Sequence, residues 1–515
     1  MKRVILPILA AMVAMSCTSN GCTSSSGTAE SSATKCSKYE PTWESLSAHN
    51  EVPEWLQDAK LGIYFHWGVY TVPAFGSEWY PYNMYREGTP VHKHHLKTYG
   101  ADFNYHQFVD QFTGEEFDAK EWAQLFKNSG AKFSGPCALH HDGFAMWASE
   151  LTPWNSKDRG PKRDILGELT TELRKLDLKT IATFHHARNM QRNANSPEEW
   201  ASKGAKNCGY DSHFAYDPSL ITSTTDEELQ MMYGNQGEQK FLKYWYDIVD
   251  EVATKYSPDM IWFDSWLNMI PEKLRQEMVA NYYNKAKKRG QEVTIGYKQE
   301  DLPLEVGILD IEQGGKTDVS ERAWMTDITI SNFSWSYVKK QTYRAPELVL
   351  RNMIDVWSKN GIVLLNVSPT SHGVIPEAQR AVLKPIGEWL SKYGEAVYGT
   401  RPFSKYGWGS TVAKAGSHGG QSSKIEYSAA DVRYTLAKDN SALYVTFLGA
   451  PEVGKKIFFR DFAPHRYPTP TPIKRVTLLG SDTEVEYKDS KDSPYLVIPN
   501  AEMDEMATVF KFELE

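Results

Sequence analysis

From about residue 50 to residue 390 the chain alternates between two textures. Short, nearly continuous apolar runs bounded by polar turns read as buried strands, and longer stretches with apolar positions every three or four residues read as helices. The runs 61–67, 131–141, 179–186, 260–264, 293–297, 308–312 and 362–367 are predicted strands. The stretches 118–128, 165–176, 241–255, 271–288, 348–358 and 376–392 are predicted helices. In the first of these, Asp118 is placed as N-cap, with Trp122, Leu125 and Phe126 on one face. So regular an alternation implies a parallel sheet, most simply an α/β fold of the (β/α)8 TIM-barrel type. Beyond residue 400 the period drops to two, in runs at 432–436, 442–447, 456–459, 476–479, 484–487, 495–498 and 507–512. Turns rich in Gly, Asp and Ser separate them, as in an antiparallel β-sandwich.

The N-terminus has a third texture. Met1-Lys2-Arg3 and the apolar run 4–15 have the form of a secretory signal and are too short to span a membrane. Ala14-Met15-Ser16-Cys17 resembles a bacterial lipoprotein signal with Cys17 as the acylated residue, and the Ser/Thr/Gly-rich stretch that follows reads as a flexible tether. The expected organisation is a signal at 1–16, a tether at 17–45, a barrel at 46–400 and a sandwich at 401–515. An exported protein follows, periplasmic or on the cell surface, with membrane contact only through a lipid on Cys17. A cleaved, freely secreted form is the alternative.

Composition narrows the function. A net charge of −8 offers no basic stripe for phosphates and argues against nucleic acid. The 16 Trp and 28 Tyr suit a core, or a cleft that holds sugar faces. Of the five Cys, only Cys137 and Cys208 lie in the body of the chain, and no C-x-x-C pair suggests zinc. Cys137 falls in an apolar run and is expected to be a buried hydrophobe. Gly314-Gly-Lys-Thr317 looks like the end of a P-loop, but Asp310 stands where the first Gly is required.

The chemistry lies at the strand ends. His66, His140, His141, His185, Asp264 and Glu312 all fall at C-terminal ends of predicted strands, which converge on one mouth in a barrel. Two carboxylates facing each other across such a mouth suit glycoside hydrolysis, and a gap of ~5–5.5 Å would mean retention of configuration. Asp310 shares a face with Glu312 and is expected to raise its pKa by like-charge repulsion. A metal on His140-His141 is the rival reading. Neighbours on a strand point oppositely, so the expectation is no metal and no cofactor. His92, His94 and His95 are read as a polar loop.

Leu61-Gly-Ile-Tyr-Phe-His-Trp-Gly68, Gly76-Ser-Glu-Trp-Tyr80, His140-His-Asp-Gly-Phe144, Trp262-Phe-Asp264 and Asn360-Gly-Ile-Val-Leu-Leu-Asn-Val-Ser-Pro369 together resemble glycoside hydrolase family 29, the α-L-fucosidases. The resemblance spans roughly residues 50 to 402 in order, and implies a retaining exo-α-L-fucosidase acting on fucosylated glycans through a covalent fucosyl-enzyme. It implies Asp264 as nucleophile, His66, His140 and His141 on fucose hydroxyls, and Glu78 with Trp79 as a sugar-binding pair. Trp262, on the same strand face as Asp264, would form the pocket floor, and Trp335 resembles a pocket-edge aromatic. Glu312 is the chosen general acid/base, with Glu305 and Glu78 as fallbacks. The chain departs from the family pattern at Leu139, where Lys is frequent, and at Phe184-His-His-Ala187, where His185 would take over a Tyr contact. The alternatives are a fucose-binding surface protein without catalysis, and a retaining glycosidase on a fucose-like sugar such as an α-L-galactoside or a sulfated fucan. Linkage preference and oligomeric state stay open.

Overall fold

Eight short strands pair side by side and in parallel, and the last closes on the first. They are β1 Leu61–Phe65, β2 Phe133–Leu139, β3 Lys179–Phe184, β4 Met260–Phe263, β5 Thr294–Lys298, β6 Ile308–Asp310, β7 Trp324–Thr329 and β8 Gly361–Val367. The computed structural model describes residues 38–193, 219–413, 425–459, 462, 472–481, 483–490 and 493–515. The signal segment, most of the expected tether and Cys17, Cys22, Cys36 and Cys208 lie outside them. Residues Tyr39–Glu515 pack as one compact unit. Near the start of the described residues the Tyr39 amide donates to Asn284 Oδ1 at 2.8 Å. Among the described residues no helix is long and apolar enough to cross a membrane.

The barrel is a packed core rather than a pore. Tyr64, Phe133, Ile181, Met260, Trp262, Ile308, Met325 and Leu364 fill its interior, and Val52 and Leu56 close its N-terminal end. Bulk on one strand is accommodated by its absence on the next. A Cβ on Gly296 would lie 2.3 Å from the Trp262 ring, so the glycine gives the indole its place inside the barrel. Helices cover the outside. Helix Ala119–Asn128 starts as its sequence suggests, with the Asp118 carboxylate accepting from the Lys120 and Glu121 amides at 2.9 and 3.0 Å.

The strand β9 Thr400–Trp408 opens the C-terminal part. It pairs with β10 Val432–Ala437, then come β11 Ala442–Phe447, β16 Thr508–Leu514 and β13 Ile473–Leu478, all antiparallel. A second, three-stranded sheet holds β12 Lys456–Phe458, β15 Tyr495–Val497 and β14 Tyr487–Lys488. The core between them includes Phe403, Tyr434, Val445, Phe459, Leu496 and Phe512. Buried polar contacts join this part to the barrel. Arg433 Nε donates to Asp355 Oδ1 at 2.6 Å, and Lys359 Nζ donates to Oδ2 of the same carboxylate at 2.8 Å. The fold is thus a TIM barrel followed by antiparallel sheets.

Candidate active site

The ends of the barrel strands bring the charged residues to one place. The Asp264 amide donates to Phe184 O at 3.0 Å, which extends the β3–β4 ladder one step and fixes where the carboxylate emerges. Beside it β5 ends in Lys298, whose side chain is 2% exposed. The ammonium lies 3.1 Å from Asp264 Oδ1, 2.8 Å from Glu312 Oε2 and 3.3 Å from Asp327 Oδ2. Two of these oxygens, one on Asp264 and one on Glu312, are within about 3 Å of one nitrogen, hence no more than about 6 Å from each other. Burial alone would raise the pKa of Asp264, but the Lys298 charge, helped by His185 and the Ser265 amide, more than offsets it and holds the carboxylate below its usual range. Lys298 is itself kept protonated. Burial works against its charge, and Asp327, Glu312, Asp264 and Asp310 outweigh it.

Trp262 is fully buried and lies under this cluster, its ring centroid 4.9 Å from the Lys298 ammonium. It supports the floor from below rather than lining the pocket. Its Nε1–H donates to Asp310 Oδ2 at 3.0 Å, and Asp310 Oδ1 accepts from the Asp327 amide at 3.2 Å. Burial, then the neighbouring Asp327, raises the Asp310 pKa well above the carboxylate range. The expected Asp310–Glu312 repulsion is therefore not the contact found. Asp310 faces inward to Trp262 and Asp327, whereas Glu312, beyond the end of β6, turns to the Lys298 ammonium.

Three imidazoles from three strand ends stand opposite the acids. Ring centroids are 5.5 Å apart for His66–His140, 5.2 Å for His66–His185 and 4.9 Å for His140–His185. His66 Nδ1 donates to Asn366 Oδ1 at 2.8 Å, which leaves Nε2 as its acceptor nitrogen. His185 Nδ1 lies 3.1 Å from the thiol of buried Cys137. Burial lowers the pKa of His66 to about 4 and that of His185 to about 3, so both rings are neutral and each offers one donor and one acceptor.

His141 also lines the pocket. The expectation that it points away from His140 fails because β2 ends at Leu139, so the strand alternation no longer governs the pair; their ring centroids are 3.7 Å apart. The group that could reach a metal is instead His66, His140 and His185, with ligand atoms all within 4.8 Å of one another. Asp264 and Lys298 act on His66 and His185 with opposite sign, and the neutral rings suit sugar hydroxyls.

The loop after β1 brings Glu78, 5% exposed. Its Oε2 accepts from Ser334 Oγ at 3.1 Å and from the Trp335 and Ser336 amides at 3.2 and 3.3 Å. Burial raises its pKa against the pull of those bonds. Trp335 packs 5.5 Å from His66, and Trp79 packs 4.5 Å from His141, with the Arg188 guanidinium 4.6 Å from the Trp79 ring centre. The enclosed space, about 150 Å³, has room for one small ring.

Every predicted site residue except Trp262 lines this pocket. Of the fallback acids, Glu78 is present, but Glu305 is half exposed on Arg322 and outside it. Arg188, Ser265, Lys298 and Asp327 also line it and were not singled out by sequence. Lys298 had a legible signal, a charge one residue past a predicted strand. The histidines read as a polar loop belong to helix Pro90–Thr98, where His95 is buried with Nδ1 2.9 Å from Tyr80 Oη.

The profile of the family described as "Alpha-L-fucosidase" matches residues 26–395. Human tissue alpha-L-fucosidase is 29% identical over 88% of this chain and 86% of its own, and the Macaca fascicularis protein of that name 30% over 81% and 79%. The crystal structure of Thermotoga maritima alpha-fucosidase in complex with fucose is similar with a TM-score of 0.70 and 26% identity, covering 92% of this chain and all of that one.

Proposed function

The chain belongs to the alpha-L-fucosidase family and is a fucose-releasing glycoside hydrolase, and from that premise we propose that it works by double displacement with retention. Asp264, ionised beside Lys298, attacks the anomeric carbon to form a fucosyl ester. Glu312 gives a proton to the leaving oxygen, then takes one from the water that opens the ester. The observation that carries this reading is the pair of acids on one ammonium, at 3.1 and 2.8 Å. Their spacing suits a retaining pair rather than the ~6.5–9.5 Å that leaves room for an inverting water. To act as acid, Glu312 must let go of Lys298, and its place beyond the strand end gives it that freedom. The neutral rings of His66 and His185, together with His140, Glu78 and the indoles of Trp79 and Trp335, would hold the hydroxyls and one side of a terminal fucose. A pocket of about 150 Å³ takes one sugar and makes the action exo. NMR of the anomer first released from 4-nitrophenyl α-L-fucoside tests the mechanism. The α anomer is expected; β as first product would refute retention.

We further propose that the enzyme is exported and held at the membrane by a lipid on Cys17, on the strength of the Ala14-Met15-Ser16-Cys17 pattern. Fractionation of wild type and Cys17→Ser checks it. The variant should lose membrane association, and an unchanged distribution would count against the anchor.

A further inference from the structure

Beside the sugar pocket lies a larger, open cleft of about 1030 Å³. Its inner walls are continuous with the segments that carry the two acids. Trp266 follows Asp264 by two residues and Ile311 immediately precedes Glu312. From this geometry we propose that the cleft is the binding site for the leaving portion of the substrate, and that it takes an uncharged oligosaccharide rather than a sulfated or otherwise anionic one. The inference rests on the fucosidase reading and gives its substrate class.

The leaving oxygen must face the proton donor, so the sugar behind it must lie near Glu312, whose neighbour Ile311 is part of the cleft lining. The cleft is built to hold something. In its lining Trp266 has φ +80°, and Gln299, directly after Lys298, has φ +57°. Side-chain-bearing residues avoid this left-handed region unless the surroundings impose it, and such strain gathers at binding sites. At the far wall the Trp43 indole is fixed by its Nε1–H donating to Glu272 Oε1 at 2.9 Å. Trp43 and Trp266 both line the cleft, and an indole can cover a sugar face. Asp301, also in the lining, is 1% exposed. Its carboxyl group accepts from the Leu267 amide at 3.0 Å and is also held by the Asn268 backbone, and burial raises its pKa to about 7. Of the four acids in the lining, burial keeps Asp310 protonated and raises Asp301 to about 7, which leaves Glu272 and Glu300 with Arg275 as the one basic side chain, a balance that disfavours sulfate and carboxylate substituents.

The test compares kcat/KM of the full chain on a neutral fucosylated tetrasaccharide, its sulfated counterpart and 4-nitrophenyl α-L-fucoside. Trp43→Ala removes one stacking face. It should cost up to about tenfold on the neutral tetrasaccharide, mainly in KM, and leave the aryl fucoside within twofold. Asn268→Trp, at an exposed position on the rim, fills the cleft without disturbing the core and should give the same selective loss. The sulfated substrate should be the poorer one in wild type. Equal losses on all substrates, no loss on the tetrasaccharide in either variant, or a preference for the sulfated form would overturn the proposal. Should wild type cleave no fucoside at all, the family-based reading fails by itself. Calorimetric titration of the unfucosylated trisaccharide then decides the cleft: binding weakened in Trp43→Ala supports it, and no binding to wild type refutes it.

Discussion

Lys298→Met would test how the charge cluster works. In the native protein one buried ammonium lies within 3.3 Å of Asp264, Glu312 and Asp327. Methionine keeps most of the volume and removes the charge, leaving buried carboxylates uncompensated at a cost of about 3–5 kcal/mol. The effect on ionisation is more diagnostic than the effect on stability. An opposite charge at this range lowers a carboxyl pKa by about 1–3 units, at ~1.36 kcal/mol per unit. Burial pulls Asp264 the other way, so without Lys298 its pKa should rise above the ordinary range. The acid limb of kcat/KM on an aryl fucoside should therefore move to higher pH by about 1–3 units. The stability profile should change sign as well. In wild type the depressed pKa of Asp264 contributes stability above its unfolded value near ~3.9, lost as pH falls toward the folded value. In the variant a raised pKa makes ionisation costly, and stability falls as pH rises. Melts across the same pH range separate unfolding from loss of catalysis, and Lys298→Arg, which keeps the charge, should leave the acid limb in place. An acid limb within half a unit of wild type in the folded Met variant would refute the assignment of Lys298 as the group that keeps Asp264 ionised.

Three further outcomes are expected. Glu312→Ala should lose about 10²–10⁴ in kcat on natural glycosides, and azide should restore turnover of an activated aryl fucoside by forming fucosyl azide; the same behaviour in Glu78→Ala and not in Glu312→Ala would reassign the acid/base. Glu78→Gln puts an amide N–H₂ among three donors and should cost about 1–3 kcal/mol in denaturant unfolding; an unchanged midpoint would contradict the bonds from Ser334, Trp335 and Ser336. Arg433→Met should destabilise the protein by less than the ~3–5 kcal/mol of a wholly orphaned charge, because Lys359 still pairs Asp355 at 2.8 Å; a loss at the top of that range would show that Arg433 alone neutralises the carboxylate.

The barrel was legible because a strand covered on both sides is mostly apolar; the runs 133–139 and 361–367 are buried throughout and each carries a single polar side chain, Ser134 and Asn366. The seventh strand, Trp324–Thr329, was missed for the same reason in reverse. Thr326 and Asp327 interrupt its apolar run, since Asp327 turns into the charged cluster and not toward the helices. Losing that strand hid Asp327 as well. Arg188 was invisible because it acts from a 3₁₀ segment beyond β3, where no period marks a side chain that will fold back over Trp79. Asp264 and the histidines could be read because a polar group at the end of an apolar strand has few structural reasons to be there. The direction of Asp310, by contrast, depends on Trp262 across the barrel, a contact between residues 48 positions apart.

The most direct measurement is to trap the enzyme with 2-deoxy-2-fluoro-α-L-fucosyl fluoride, whose fluorine slows breakdown of a glycosyl ester more than its formation, and to map the modified peptide by mass spectrometry. A single fluorofucosyl group on Asp264, absent from Asp264→Asn, is the predicted result. A label on Glu312 or Glu78, or full turnover by Asp264→Asn, would contradict the assignment of Asp264 as nucleophile.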